Sequence, residues 1–253
     1  MSDKKARLIL FLPINTMSKL FCSCPNSEAA RSSSCPICRE LPGTMPLINK
    51  HALNIIIAAG CIMKSRFNAS CFERKPFFND GRLIQYTITQ ENSPMCTDGY
   101  FLFGQKEIKI NKIYLEQESG LLDGKIDYNK RGRPRLCIET APSFINSSEA
   151  YEFYEHLRAR LDKRELLKEG RTHTCTLRFA GGAEISGIET AQLEKAFEWG
   201  ESAKRAAYIW KGSAPKPGGK KGKAPKEKRR LFYREKYFIP TLTYAIYMWI
   251  LNG

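Results

Sequence analysis

Apolar residues in this chain follow two periods. Between Arg7 and Leu12 they form a short run, RLILFL, of strand length. In NKHALNIIIAAGCIMKS, Asn49 to Ser65, they recur at helical spacing, with Asn49 placed to cap the first turn and Gly60 or Ser65 near the end. From Arg82 to Leu122 the pattern turns to alternation. LIQYTITQ switches sides at each residue, and KEIKINKIYLEQESG carries Ile108, Ile110 and Ile113 among charges, so this stretch predicts strands. KIDYNKRGRPRLCIETAPS reads as strand, Gly and Pro break, strand. SSEAYEFYEHLRARLDKREL predicts a helix capped by Ser147 or Ser148, with Tyr151, Tyr154, Leu157 and Leu161 as its apolar positions. HTCTLRF alternates as a strand, and TAQLEKAFEWGESAKRAAYIW predicts a further helix. Strands outnumber helices, so the expected fold is α+β, a mostly antiparallel β-sheet with packed helices.

The pattern ends at Trp210, which closes the expected folded domain, 1–210. Lys211 to Arg230, KGSAPKPGGKKGKAPKEKRR, is rich in Lys, Gly and Pro, has almost nothing to bury, and reads as a disordered basic linker. Residues 231–253 end in YFIPTLTYAIYMWILNG, apolar for about fifteen residues where a membrane-spanning helix needs about twenty, and Pro240 interrupts it. A strand or short helix docked on the domain or on a partner is the expectation, a membrane tail the alternative.

Charge and cysteine content add the first chemistry. A net charge of +15 over 253 residues calls for a polyanionic partner, nucleic acid first and an anionic membrane surface second. Nine cysteines with no secretory leader in MSDKKARLILFLPIN point to a reducing compartment and to metal-bound or free thiols. Four of them, Cys22, Cys24, Cys35 and Cys38, stand as C-x-C, a ten-residue loop and C-x-x-C. Two close pairs across a short loop suit a closed tetrahedral zinc knuckle at 22–38, a site that holds structure and leaves no position open for chemistry. Chance pairs of free thiols, or a disulfide, are the alternatives. His51, His156 and His173 have no cysteine or carboxylate at ligand spacing and are expected to be ordinary surface or core residues.

INTMSKLFCSC followed by CPICRELPGTMPLIN resembles the B subunit of the glutamyl/aspartyl-tRNA amidotransferase, or its archaeal E-subunit relative, whose motif runs L-N-T-x-S-K-L-F-C-x-C and then C-P-x-C-x-x-L-P-G-x-x-P-x-x-N. FERKPFF, YTITQENSPM, YLEQESG, DYNKRGRPRL and AEISGIETAQLEKAFEW are similar to later family segments in the same order, so the resemblance covers residues from about 8 to 200. The helical and tail domains that the family appends, which contact tRNA, do not follow within these 253 residues.

The resemblance implies an ATP-dependent carbon–nitrogen ligase component that uses zinc, Mg²⁺ and ATP. Such a component phosphorylates the side-chain carboxylate of Glu-tRNA(Gln) or Asp-tRNA(Asn), and ammonia from a partner amidase then displaces the phosphate. A small linker subunit completes the assembly, the misacylated tRNA is the substrate, and no membrane is expected. The implied setting is cytoplasmic, with mitochondrial as the alternative. On this resemblance Glu116, Glu118 and Glu139 are the candidate catalytic carboxylates and Glu116 the Mg²⁺ ligand. Lys75, Asn129, Lys130 and Arg131 are the candidate nucleotide-binding residues. No P-loop motif is present, so an ATP site must be of the family's own kind.

The sequence departs from the family where the chemistry lies. The Glu and His of the family's L-E-I-H fall on Ile9 and Phe11, the His and second Glu of H-L-E-E-D on Tyr114 and Gln117, and a further Glu on Cys137. Mg²⁺ takes hard oxygen ligands, which Ile, Phe and Cys do not supply. Two readings therefore stand: an enzyme subunit working with an amidase, and a zinc-stabilised RNA-binding or scaffold protein of the same fold whose phosphoryl site has decayed. NKRGRPR, Asn129 to Arg135, serves either, as a phosphate-facing loop or as a grip on a nucleic-acid backbone; a solvated turn is its plainest reading.

Overall fold

In β1 (Arg7–Pro13) Leu8, Leu10 and Leu12 point to one side and are fully buried, while Arg7, Ile9 and Phe11 point to the other. The computed structural model describes residues 5–27, 34–79, 82–122, 125–180, 182–198, 200 and 236–237. In chain order the further elements are α1 (Lys50–Ile62), β2 (Arg66–Phe67), β3 (Phe72–Asn79), β4 (Arg82–Thr89), β5 (Cys96–Phe103), β6 (Lys106–Gln117), β7 (Leu121–Leu122), β8 (Lys125–Ile126), β9 (Pro134–Thr140), α2 (Ser147–Asp162), β10 (Thr174–Arg178), β11 (Glu184–Glu189) and β12 (Lys236–Tyr237). The main sheet runs β11-β10-β1-β9-β6-β4-β3-β12, with β5 on the first half of β6 and β2 beyond it. Its neighbours pair antiparallel. The expected α+β architecture is therefore present. The linker Lys211 to Arg230 and all of 231–253 but β12 lie outside the described residues.

One sheet face carries the core. Leu8, Leu10, Leu12, Ile113, Leu115, Leu136 and Ile138 pack with Ile55, Ile56 and Ala59 of α1 and with Phe153, Leu157 and Leu161 of α2. β6 reaches this face along its whole length only because its register with β9 shifts between Ile110 and Lys112. Without that bulge Ile113 and Leu115 would face away from Ile108 and Ile110.

Helix ends differ in detail from the sequence expectation. Asn49 caps α1 as expected, accepting from the His51 and Ala52 amides at 2.9 and 3.2 Å. α2 is capped by Asn146, which accepts from the Glu149 amide at 2.9 Å, and not by Ser147 or Ser148. Tyr151 stands 44% exposed, because the buried stripe of α2 runs through Ala150, Phe153, Tyr154, Leu157 and Leu161. The predicted last helix begins as a 3-10 turn, Thr190–Gln192, and continues as helix over 193–198.

Gly60 does not end α1. It is buried within the helix, and the left-handed residue after the helix is Lys64, at φ 47°. A Cβ at Gly60 would meet the Cys96 Sγ at 2.8 Å and the Phe67 ring at 2.9 Å. Gly60→Ala gains about 1 kcal/mol of helix propensity, but forcing α1 off β2 and β5 costs about 1–3 kcal/mol. A net loss of roughly 1 kcal/mol is expected in urea denaturation; a more stable variant would show that the contact relaxes freely.

Candidate functional site

The cysteine knuckle is built from two turns. Beyond β1 the chain doubles back so that Ser18 bridges Pro25, with the Lys19 amide donating to the Cys24 carbonyl at 2.9 Å, and this presents Cys22 and Cys24 side by side. The second turn carries Cys35 and Cys38 and is closed by the Arg39 amide on the Cys35 carbonyl at 3.1 Å. Asn49 ties the knuckle to α1. Its Oδ1 caps the helix, while its Nδ2 donates to the Ser18 Oγ at 2.9 Å.

The four thiols converge. All their sulfurs lie within 4.8 Å of one another, with Cys22 to Cys38 at 3.2 Å and Cys35 to Cys38 at 3.8 Å. Tetrahedral zinc–thiolate bonds place sulfurs about 3.8 Å apart, whereas a disulfide needs about 2 Å. The cysteines are unbridged, which removes the disulfide alternative, and four soft donors with no fifth His, Cys, Asp or Glu ligand beside them among the described residues fit zinc. Cys38 is held down to about 4, first by the Cys22 thiol donating to it and further by the Lys19 ammonium, while the same contact and burial push Cys22 up. The knuckle thus already favours a thiolate at one of its corners.

The second candidate region is the sheet face turned away from the helices. Register sets Ile9 opposite Glu139, Phe11 opposite Cys137, Tyr114 opposite Cys137 and Glu116 opposite Arg135. Glu116 and Glu139 therefore share this face on adjacent strands, β6 and β9, with Cys137 between them on β9. Both carboxylates are buried and both are taken by cations. Arg135 donates to Glu116 Oε1 at 2.7 Å, Arg7 donates to Glu139 Oε1 at 2.6 Å, and the Lys112 ammonium lies 3.3 Å from Glu139 Oε2. The Arg135 guanidinium also stands over the Phe11 ring, 5.1 Å from its centre. Burial works against the Arg135 charge, yet Glu116, with Glu118 adding to it, holds its pKa above the ordinary value. Burial, with Glu116 adding to it, keeps the Cys137 thiol well above its usual range; burial does the same for the Tyr114 hydroxyl. Neither supplies an anionic oxygen or sulfur at neutral pH.

Glu118 lies just past the end of β6, half-buried, its amide donating to the Arg133 carbonyl at 2.7 Å. Glu116, Glu118 and Glu139 do not come together as a ligand set: among the described residues, the four cysteines are the only group of three or more His, Cys, Asp or Glu side chains at ligand-sharing distance. Two of these carboxylate oxygens, Glu116 Oε2 and Glu139 Oε2, are buried with no hydrogen-bond partner, the second facing the Lys112 ammonium at 3.3 Å.

The candidate nucleotide residues are dispersed. Lys75 is exposed on β3 and pairs with Glu91 at 2.7 Å. Asn129 and Lys130 are half-buried in a turn organised by Asp127, whose Oδ1 accepts from the Asn129 amide at 2.9 Å. Arg131 is 3% exposed, forms an ion pair with Glu40 of the knuckle, and donates to the Tyr86 carbonyl at 3.3 Å. It lines a cleft between knuckle and sheet together with Lys19, Glu40, Arg74, Tyr86 and Gln117. Of the histidines, His173 shares a hydrogen bond at Nδ1 with the Tyr154 hydroxyl at 2.8 Å and His156 bonds the Glu152 carbonyl at 2.9 Å, so neither joins the knuckle or the carboxylates.

Sequence reasoning missed Arg7, Lys112 and Arg135 as partners of the carboxylates, and Lys19 and Glu40 as partners of the knuckle and its neighbouring loop. Strand alternation carries part of the signal. Arg135, Cys137 and Glu139 must share a face, as must Lys112, Tyr114 and Glu116. The pairing across strands depends on register, which alternation does not give.

A model of the GatB/GatE catalytic domain matches residues 10–195. The B subunit of the aspartyl/glutamyl-tRNA(Asn/Gln) amidotransferase of Finegoldia magna is 33% identical over 175 residues, 63% of this chain and 36% of the relative. The corresponding protein of Methanospirillum hungatei is 32% identical over 202 residues, 72% of this chain and 42% of the relative. The second such B subunit of Clostridium acetobutylicum is 29% identical over 223 residues, 77% of this chain and 47% of the relative. The chain thus spans about a third to a half of the length of these curated relatives.

Proposed function

The chain belongs to the GatB/GatE catalytic-domain family, and from that premise we propose that it works as a B-type component of a tRNA-dependent amidotransferase assembly. In this reading it binds misacylated tRNA beside a partner amidase on a zinc-stabilised fold, and its own Mg²⁺-dependent phosphoryl-transfer face is closed. What supports closure is the Arg135–Glu116 pair at 2.7 Å, repeated by Arg7 and Lys112 on Glu139. Mg²⁺ demands several oxygen ligands in octahedral array. Here the buried carboxylates are already charge-balanced by guanidinium and ammonium groups, and Ile9, Tyr114 and Cys137 fill the space between them at 3% exposure or less. The setting this role implies is cytoplasmic or mitochondrial.

One observation favours the enzymatic alternative: Glu116 Oε2 and Glu139 Oε2 are buried without hydrogen-bond partners. In that reading Glu116 releases Arg135 to hold Mg²⁺ with Glu118 and Glu139 nearby. Lys75, Asn129, Lys130 and Arg131 then face ATP, and the acyl phosphate on Glu-tRNA(Gln) or Asp-tRNA(Asn) receives ammonia from the amidase, assembled through the small linker subunit. Arg131 would first have to leave Glu40.

Binding of tRNA is tested apart from catalysis. Lys211 to Arg230 holds nine Lys and Arg residues against one Glu, and we expect them to engage phosphates with little sequence readout. Each phosphate neutralised steepens the fall of log affinity with log salt by about 0.7–0.9. Deleting the segment should flatten the slope measured with tRNA by several units. An unchanged slope would reduce the run to a solvated spacer.

A further inference from the structure

We infer that the pocket between α2 and the approach to β10 takes one unstacked nucleotide of a single-stranded RNA, its base lying on the Tyr151 ring; the inference does not rest on the amidotransferase reading. The pocket encloses about 220 Å³ and is lined by Tyr151, Tyr154 and Arg158 of α2, by Arg171 and His173 ahead of β10, and by Thr190 of the 3-10 turn. α2 packs on the core side of the sheet, so these residues are separate from the face that carries Glu116 and Glu139.

Packing of α2 decides what is presented. The helix buries Phe153, Tyr154, Leu157 and Leu161, which leaves Tyr151 off the stripe with 44% of its surface in water. A single exposed aromatic needs no explanation. This one borders a pocket, its ring centre 6.1 Å from that of Tyr154, and every nucleobase has a flat face that stacks on such a ring.

Beside the ring stands a polar group fixed in place. Tyr154 is 6% exposed and its hydroxyl shares a hydrogen bond of 2.8 Å with His173 Nδ1, the two rings edge to face. The His173 carbonyl accepts from the Thr190 amide at 3.1 Å, which holds the backbone as well. With Nδ1 engaged, Nε2 is the imidazole edge left for a ligand. Burial keeps the His173 pKa below its ordinary value, so the ring is neutral at physiological pH. A neutral imidazole donates or accepts at Nε2 according to its tautomer, and the tyrosine hydroxyl on Nδ1 can serve either. That suits the mixed donors and acceptors of a base edge better than a phosphate, whose oxygens only accept.

Guanidinium groups supply the phosphate contact. Arg158 pairs with Glu155 at 2.7 Å and lies 3.4 Å from Asp162, and its Nε is buried with no hydrogen-bond partner. Both carboxylates are a third or more exposed, so the pairs are weak and leave the guanidinium able to take a phosphate oxygen. Arg171 adds a second positive charge at the same pocket. A bare phosphate has no use for a stacking ring and a neutral imidazole, and an acidic peptide has no flat base to lay on Tyr151. The net charge of +15 draws in a polyanion such as RNA at long range.

Binding of a short fluorescent oligouridylate by the full chain, followed by anisotropy over a range of salt concentrations, tests this. Tyr151→Ala should weaken binding roughly tenfold at every salt concentration, since stacking is lost and no phosphate contact is. Tyr151→Phe, which keeps the ring, should bind within about twofold of wild type. Tyr151 lies off the buried stripe, so neither variant disturbs the core. An oligomer of the same length that is abasic throughout should bind wild type and Tyr151→Ala alike. Deleting Lys211 to Arg230 should leave the ratio between wild type and Tyr151→Ala intact, and a ratio that vanishes with the segment would overturn the pocket as a site of its own. RNA binding unchanged in Tyr151→Ala would overturn the site, and an equal loss in Tyr151→Phe would overturn stacking as its basis. An abasic oligomer held by wild type as tightly as the RNA would leave a phosphate site only and overturn the base contact. A wild-type chain that binds no RNA would overturn the inference outright.

Discussion

Replacing Cys35 with serine is expected to lower bound zinc from one ion per chain to less than about a tenth of one. Structural zinc in small cysteine-rich sites contributes on the order of 10 kcal/mol of apparent binding free energy, and three thiolates with a hydroxyl forfeit much of it. The consequence should spread, because the knuckle is held to α1 through Asn49 and to the loop 127–133 through Lys19 and Arg131. Elemental analysis of parent and variant side by side decides the matter. Equal metal content would show that the ion is held elsewhere or not at all. A Cys61→Ser variant, at an exposed cysteine outside the cluster, should keep its zinc.

The second large effect is expected at the Arg135–Glu116 pair. Removing one partner of a buried ion pair costs about 3–5 kcal/mol, because the remaining charge is left without compensation. The Arg135 side chain keeps 22% exposure, so water recovers part of that, and Arg135→Met should lose roughly 2–4 kcal/mol in denaturant unfolding. Adding Glu116→Gln to Arg135→Met removes the orphaned charge and should restore about half of the loss. If the single variant is as stable as the parent, Glu116 is solvated or otherwise paired, and Arg135 does not close the face.

Much of this architecture is written locally. The apolar run at Arg7 to Leu12, the Asn49 cap and the paired cysteines each depend on residues close in sequence, and β1, the start of α1 and the convergent thiols follow from them. What was not legible depends on distant partners. Gly60 reads as a helix stop, yet it is the point where α1 meets Phe67 and Cys96. Tyr151 fits a helical apolar spacing, but α2 turns Phe153 inward instead, toward Phe101, Phe103 and Phe144. Asn146 displaces the two serines as cap because the chain is already helical at Ser147, and a cap must still be extended, as Asn146 is at φ −139° and ψ 170°. At the candidate active face the acidic residues were visible from the sequence, whereas their neutralisation was not. Arg7 and Glu139 are 132 residues apart and meet only because β1 lies beside β9 in one register.

On the proposed reading, the face that carries Glu116 and Glu139 does not activate a carboxylate. The direct measurement is release of ADP from ATP, with the full chain, the amidase of the proposed assembly and Glu-tRNA(Gln), across a wide range of Mg²⁺ concentrations. With the buried carboxylates paired to Arg135, Arg7 and Lys112, no tRNA-dependent ADP is expected above that of the amidase alone at any Mg²⁺ level. ADP formation that requires misacylated tRNA, rises with Mg²⁺ and disappears in Glu116→Gln would contradict the account and establish the chain as a working phosphoryl-transfer enzyme.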